Sequence, residues 1–113
     1  MKKKDIIKSQ KEFNLLIKTG KFIKNDDYVI YYKENNLSKI RYGIAVSTKL
    51  GNAVTRNKLK RQTKEIVDKL NYLFKNNKDY IIMIRKGCLD TPFHERILKL
   101  EQILKERIWK RKN

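Results

Sequence analysis

Tyr42-Gly-Ile-Ala-Val-Ser47, Gly51-Asn-Ala-Val-Thr-Arg-Asn-Lys-Leu-Lys-Arg61 and Tyr80-Ile-Ile-Met-Ile84 together decide how this chain folds. The first run is rich in β-branched and aromatic residues and reads as a strand. Gly51-Asn52 ends it, and a long helix is expected just after. Leu59, Thr63, Ile66, Val67, Leu70, Leu73 and Phe74 recur at helical spacing. They predict a helix of roughly 21 residues, about 30 Å long. Asn76-Asn-Lys-Asp79 breaks it. Tyr80 to Ile84 is then a nearly continuous apolar run, the signature of a central strand buried on both faces.

Towards the N-terminus, Tyr28-Val-Ile-Tyr-Tyr32 is another strand, with Phe22 and Ile23 starting a strand that leads into it. Alternation puts Tyr28, Ile30 and Tyr32 on one face and Val29 and Tyr31 on the other. The polar stretch from Lys33 to Lys39, with Asn35-Asn36, reads as a hairpin connection to the Tyr42 strand. Ser9-Gln-Lys-Glu12 has the form of a capping box, in which Glu12 reaches back to the cap. Phe13, Leu16 and Ile17 follow at helical spacing and Gly20 is a natural stop, so a first helix is expected over 10–18. Thr91-Pro92 reads as the N-cap and first position of a last helix, whose apolar face is Ile97, Leu100, Ile103 and Leu104. The order predicts an α+β fold, with helices packed on a small sheet.

The chain has 113 residues, which suits one domain. Its 40% apolar content is enough for a real core. Lys and Arg number 29 against 12 Asp and Glu, a net charge of +17. So large an excess repels itself when folded, and a polyanion relieves the repulsion; nucleic acid is the commonest. No apolar run approaches the roughly 20 residues of a membrane span. Asp5, Lys8 and Lys11 interrupt any secretory core after Met1-Lys-Lys-Lys, so a cytoplasmic location is the expectation. Cys88 is the single cysteine and reads as a structural or incidental thiol. The single histidine, His94, falls at a helix start, and Asp26-Asp27 reads as a turn beside a strand rather than a cation site. Paired catalytic carboxylates, metal-ligand spacing and a nucleophile–base pair are all missing from the sequence pattern. The terminal Lys110-Arg-Lys112 is expected to be solvated or against RNA.

On a helical wheel Arg56, Lys60 and Lys64 share one stripe, with Asn57 and Arg61 beside it. The apolar stripe of Leu59, Ile66 and Leu70 lies roughly 120° away. The basic face therefore flanks the packed edge, where it lines a cleft between helix and sheet. Like charges at i, i+4 cost a helix a few tenths of a kcal/mol per pair, which an anionic partner offsets. Arg forks bind phosphate oxygens two at a time, and Lys acts as a mobile point charge. Asn57 can donate to and accept from a sugar or base. A merely solvated basic face is the plainer alternative.

The run Arg56-Asn57-Lys58-Leu59-Lys60-Arg61, preceded by Gly51-Asn52-Ala53-Val54, resembles the signature of the bacterial ribonuclease P protein family. The resemblance extends over about residues 6–108. Phe13 before Gly20, the Tyr28–Tyr32 strand, Arg41-Tyr-Gly-Ile-Ala-Val-Ser47, the Asp79–Arg85 strand and the final helix all follow the family's order.

That resemblance implies a fold like the second domain of ribosomal protein S5: about four strands, three helices and a left-handed strand–helix–strand crossover, an exception to the usual hand. It implies a protein subunit that binds the catalytic RNA, expected one to one, and the 5′ leader of precursor tRNA. The RNA cleaves, using magnesium, and the protein itself carries no catalytic residue, metal ligand or required protein partner. Arg56 and Asn57 are expected mainly against the RNA subunit, and Lys60, Arg61 and Lys64 near RNA or leader backbone. Phe13, Ile17, Val29, Tyr31 and Ala45 are expected in the leader cleft, with small Gly43 and Ala45 letting RNA approach the sheet. Lys64 stands where the family often has Arg, and Ile17 where it often has an aromatic, so one fork and one stacking surface are lost. A ribosomal protein or RNA chaperone of the same fold is the rival reading. A DNA-binding helix-turn-helix fits poorly with a long helix between two strands.

Overall fold

The structure is a computed structural model that describes residues 6–75 and 77–105. The basic tail Lys110-Arg-Lys112 and the Met1–Asp5 segment lie outside the described residues. Helix α1 (Gln10–Thr19) is followed by strands β1 (Lys21–Lys24), β2 (Tyr28–Glu34) and β3 (Arg41–Val46). Helix α2 (Ala53–Lys69), strand β4 (Lys78–Ile84) and helix α3 (Phe93–Ile103) complete the order. The four strands form one mixed sheet in the order β1-β2-β4-β3.

Caps fix the helix starts. Ser9 Oγ accepts from the Glu12 amide at 3.3 Å, and Asn52 Oδ1 accepts from the Thr55 amide at 2.9 Å. The capping box closes on one side only, because the Glu12 carboxylate is drawn to Arg41 instead, at 2.7 Å. Helix α2 is shorter than the apolar spacing predicts. It ends at Lys69, and a 3₁₀ turn over Asn71–Leu73 carries the stripe on, so that Leu70, Leu73 and Phe74 are buried all the same. The start of α3 is one residue later than expected. Pro92 is the N-cap, and the Thr91 hydroxyl donates to the Gly87 carbonyl at 2.9 Å rather than capping the helix.

The sheet order overturns the hairpin expected across Lys33 to Lys39. Strand β4 inserts between β2 and β3, antiparallel to the first and parallel to the second. Its Tyr80, Ile81 and Ile82 are fully buried, and only a central strand covers both faces of such a run. The connection after β2 must therefore step over one strand, about 10 Å. It is tied to the loop before β4 by Asn35 N–H to Asn77 O (2.7 Å) and Asn77 N–H to Lys39 O (3.2 Å). The true hairpin is β1–β2, turning at Asn25-Asp26-Asp27, and Phe22-Ile23 belongs to its first strand.

One face of the sheet holds the main core. Tyr28, Ile30, Tyr32, Tyr42, Tyr80, Ile82 and Ile84 pack with Leu59, Ile66 and Val67 of α2 and Leu100 and Ile103 of α3. Phe74 meets Tyr42 and Tyr80 edge-on, with ring centroids 5.2 and 4.8 Å apart. The other face carries a smaller cluster, in which Leu16, Phe13 and Ile17 of α1 pack with Ile7, Ile81 and Tyr31. Ile7 donates to the Tyr42 carbonyl at 2.7 Å, laying the chain entry against the outer edge of β3. Arg41 clamps α1 to the sheet. Its guanidinium holds Asp79 through two bonds of 2.9 and 2.6 Å and Glu12 at 2.7 Å. The hydrogen bond to Asp79 raises the Arg41 pKa above its ordinary value, so the clamp stays charged.

Candidate nucleic-acid interface

Helix α2 lays out the basic stripe as its spacing predicts. Thr63, Ile66 and Val67 are fully buried, and the stripe runs along one border of that face. Arg56 and Lys60 are half-buried, while Asn57, Arg61 and Lys64 are exposed. None of the four cations pairs with an acid among the described residues, and Arg56 Nε is buried without a hydrogen-bond partner. The charge is thus available to an outside anion.

Lys60 and Lys64 reach the outer edge of β3, where the chain entry lies. There they line a pocket of about 140 Å³ together with Ile6, Ile7 and Phe13 from the other side of the sheet. This is the cleft between helix and sheet that the wheel predicts, and it has a third wall that periodicity does not reveal. Phe13 belongs both to this pocket and to the α1 cluster, so the basic stripe and the open sheet face share one residue.

The five residues expected in a cleft are on that second sheet face. Phe13 and Ile17 come from α1, and Tyr31 packs with them. Register sets Tyr31 beside Ile81 and Gly43, and Val29 beside Met83 and Ala45 in the next row. Helix α1 covers the first row, while Ala45 and Met83 in the second stay half-exposed. Two neighbours escape the sequence reading. Met83 shares the row of Val29 and Ala45, and Phe22, 56% exposed, stands beside Tyr31 with ring centroids 5.9 Å apart. Strand alternation carries the signal for Met83; Phe22 becomes visible only once β1 is paired in register with β2.

Gly43 is placed differently from expectation. A Cβ there would lie 3.0 Å from Phe13 Cε2 and 3.4 Å from Ile81 Cγ1, so the aromatic ring already fills the space that glycine leaves. The open approach to the sheet is at Ala45. Gly43→Val is expected to lift Phe13 from the sheet, costing about 2 kcal/mol of stability through overpacking. Thermal denaturation checks the cost, and an unchanged midpoint would show that Phe13 swings aside freely.

Groups that might have carried chemistry lie away from this interface. Cys88 is buried and its thiol donates to the Asp27 carbonyl at 3.1 Å; burial pushes its pKa up to about 11. Asp27 is buried within the β1–β2 turn, held through its backbone by Asn25 and Arg85. His94 is exposed in the first turn of α3. Among the described residues no three His, Cys, Asp or Glu side chains gather as a metal cluster. None of the described helices is long and apolar enough to cross a membrane.

Comparison with known proteins bears directly on this arrangement. The Ribonuclease P family model matches residues 1–107. The ribonuclease P protein component of Mycoplasma mycoides subsp. mycoides is 42% identical over 107 residues, covering 94% of this chain and 98% of the relative. Among solved structures, a Staphylococcus aureus RNase P protein mutant with defective mRNA degradation activity superposes with a TM-score of 0.84 at 35% identity, covering 91% of this chain and 87% of that one. The Thermotoga maritima RNase P protein gives a TM-score of 0.80 at 30% identity, covering 88% and 94%.

Proposed function

The chain belongs to the ribonuclease P protein family, and from that premise we propose that it docks the catalytic RNA through α2 and holds the single-stranded 5′ leader of precursor tRNA on the open sheet face. Membership implies a subunit of an endoribonuclease holoenzyme that acts in tRNA processing, with the ribonuclease P RNA as its partner. The observation that carries the finer reading is the shared wall at Phe13, where Lys60 and Lys64 of α2 meet the apolar face that Phe13 forms with Tyr31, with buried Val29 and half-exposed Ala45 in the next row of the sheet. A chain whose phosphates follow Lys60, Arg61 and Lys64 turns its bases towards that face. Base–aromatic contact contributes roughly 1–3 kcal/mol per base and tolerates any sequence, as a subunit serving many precursor tRNAs requires. Arg56 and Asn57, earlier on the same helix, face the RNA subunit in a one-to-one complex.

In this division of work the protein positions and neutralises. Bond cleavage and its magnesium ions belong to the RNA. The protein's own contribution to rate is orientation of the leader and relief of phosphate repulsion. The test is substrate affinity of the holoenzyme reconstituted with a cognate RNA subunit. Adding the protein should tighten binding of precursor tRNA with a leader of several nucleotides and leave mature tRNA nearly unaffected. An equal gain for both substrates would remove the leader from the sheet face.

A further inference from the structure

A groove of about 550 Å³ lies on the opposite side of α2 from the basic stripe. Val54, Lys58 and Gln62 line it at one-turn spacing, Leu89 comes from the 3₁₀ turn after β4, and Phe93 and Arg96 come from the start of α3. Lys58 is two residues from both Arg56 and Lys60, about 200° around the helix, so an anion on one side does not reach the other. No acidic residue lines the groove.

Two features of the groove suit a partner that is both anionic and apolar. Arg96 is only 5% exposed: Nη2 donates to Gln62 at 2.8 Å, while Nε and Nη1 have no hydrogen-bond partner. No acid among the described residues forms an ion pair with it. Burying an unpaired cation is costly, and a nearby anion offsets the cost. At the same time Val54 and Leu89 are 77% and 45% exposed, apolar surface left against solvent at the rim of the same groove. The Phe93 ring lies 5.8 Å from the Arg96 guanidinium and completes an apolar wall beside the charge.

A ligand with a flat apolar body and an anionic group, joined by a short polar link, fits such a wall. In a chain of net charge +17 the partner that supplies both is RNA. We propose that this groove receives one unstacked nucleotide of the ribonuclease P RNA subunit, its phosphate towards Lys58 and Arg96 and its base against Phe93, Leu89 and Val54, so that the RNA grips α2 from both sides. The proposal rests on the RNA-subunit reading above. The leader is not the occupant, because its face is across the sheet, beneath α1.

The test uses the reconstituted holoenzyme with precursor tRNA bound. Because Cys88 is buried, Val54→Cys supplies the accessible thiol for a photo-crosslinker. The expected product joins the protein to one short unpaired stretch of the RNA subunit, and Lys58→Glu abolishes it. Crosslinks to the leader or to a second copy of the protein, or none at all, overturn the assignment. In parallel, Lys58→Glu with Leu89→Asp should weaken affinity for the RNA subunit by about tenfold or more, the loss of one stacked and neutralised nucleotide. With saturating RNA, the leader-dependent gain in substrate affinity should be unchanged. Unaltered RNA affinity overturns the groove while Lys60→Ala with Arg61→Ala still weakens RNA or leader binding. If neither pair alters any RNA binding, the ribonuclease P reading itself falls and the groove with it.

Discussion

Replacing Lys60 and Arg61 together by alanine will make leader binding markedly less sensitive to salt. If about five leader phosphates are neutralised, log affinity should fall with log salt at a slope of roughly −3.5, or about a hundredfold between 50 and 200 mM. Removing two of those contacts leaves a slope of roughly −2 and a loss of about twentyfold over the same range. Neither side chain has a hydrogen bond or ion pair with another described residue, so the folded state should be little disturbed. Titration of a single-stranded leader oligonucleotide at several salt concentrations reads the slope, and circular dichroism checks the fold. A slope equal to that of the unsubstituted protein would place both residues outside the leader interface. Lys60 is the more telling of the pair, since it also lines the pocket that Phe13 closes.

The second large effect concerns stability. Gly87→Ala is expected to destabilise the protein by about 3 kcal/mol, lowering Tm by on the order of 10 °C. A Cβ at Gly87 would sit 2.3 Å from the Asp26 carbonyl oxygen and 2.8 Å from Asp27 Oδ1. The obstacle is mainly backbone, and that backbone is fixed from two sides. Gly87 N–H donates to the Asp26 carbonyl at 3.1 Å, and Arg85 N–H donates to Asp27 at 2.8 Å. Relief requires the 3₁₀ turn over Lys86–Leu89 to move off the β1–β2 turn, which also disturbs Cys88 and the start of α3. Calorimetry decides the matter; an unchanged Tm would mean that the two turns are not rigidly apposed. A cognate RNA that binds the folded chain in preference to the unfolded one should recover part of the loss by mass action.

The two glycines illustrate how far a sequence goes. Gly43 and Gly87 are equally silent as letters. One leaves room for an aromatic ring from α1, the other for a backbone turn more than sixty residues earlier. What periodicity reports is the face a residue occupies. The stripe of Arg56, Lys60 and Lys64, the buried line of α2 and the two faces of β2 all follow from spacing. Strand β4 was legible as central because it is apolar on both faces. Which strands neighbour one another was not, because alternation is the same whether β2 pairs with β3 or with β4. The hairpin expected across Lys33 to Lys39 failed for that reason. Glu12 shows the same limit at a cap. Its spacing from Ser9 suits a capping box, but Arg41, remote in sequence, offers its carboxylate a charge-assisted partner. Met83 and Phe22 join the candidate cleft only through the strand register, and the burial of Arg96 against Gln62 follows only from the seating of α3 on α2. The proposed leader residues come from the family resemblance and not from composition or spacing.

The proposed role of this protein is to make a catalytic RNA work better on precursor tRNA by supplying positive charge and a leader cleft. It is tested most directly by single-turnover cleavage of precursor tRNA by a cognate ribonuclease P RNA, measured across magnesium concentration with and without the protein. The protein should shift the magnesium requirement to lower concentration, with cleavage remaining at the same phosphodiester. An unchanged magnesium dependence with a cognate RNA would contradict it.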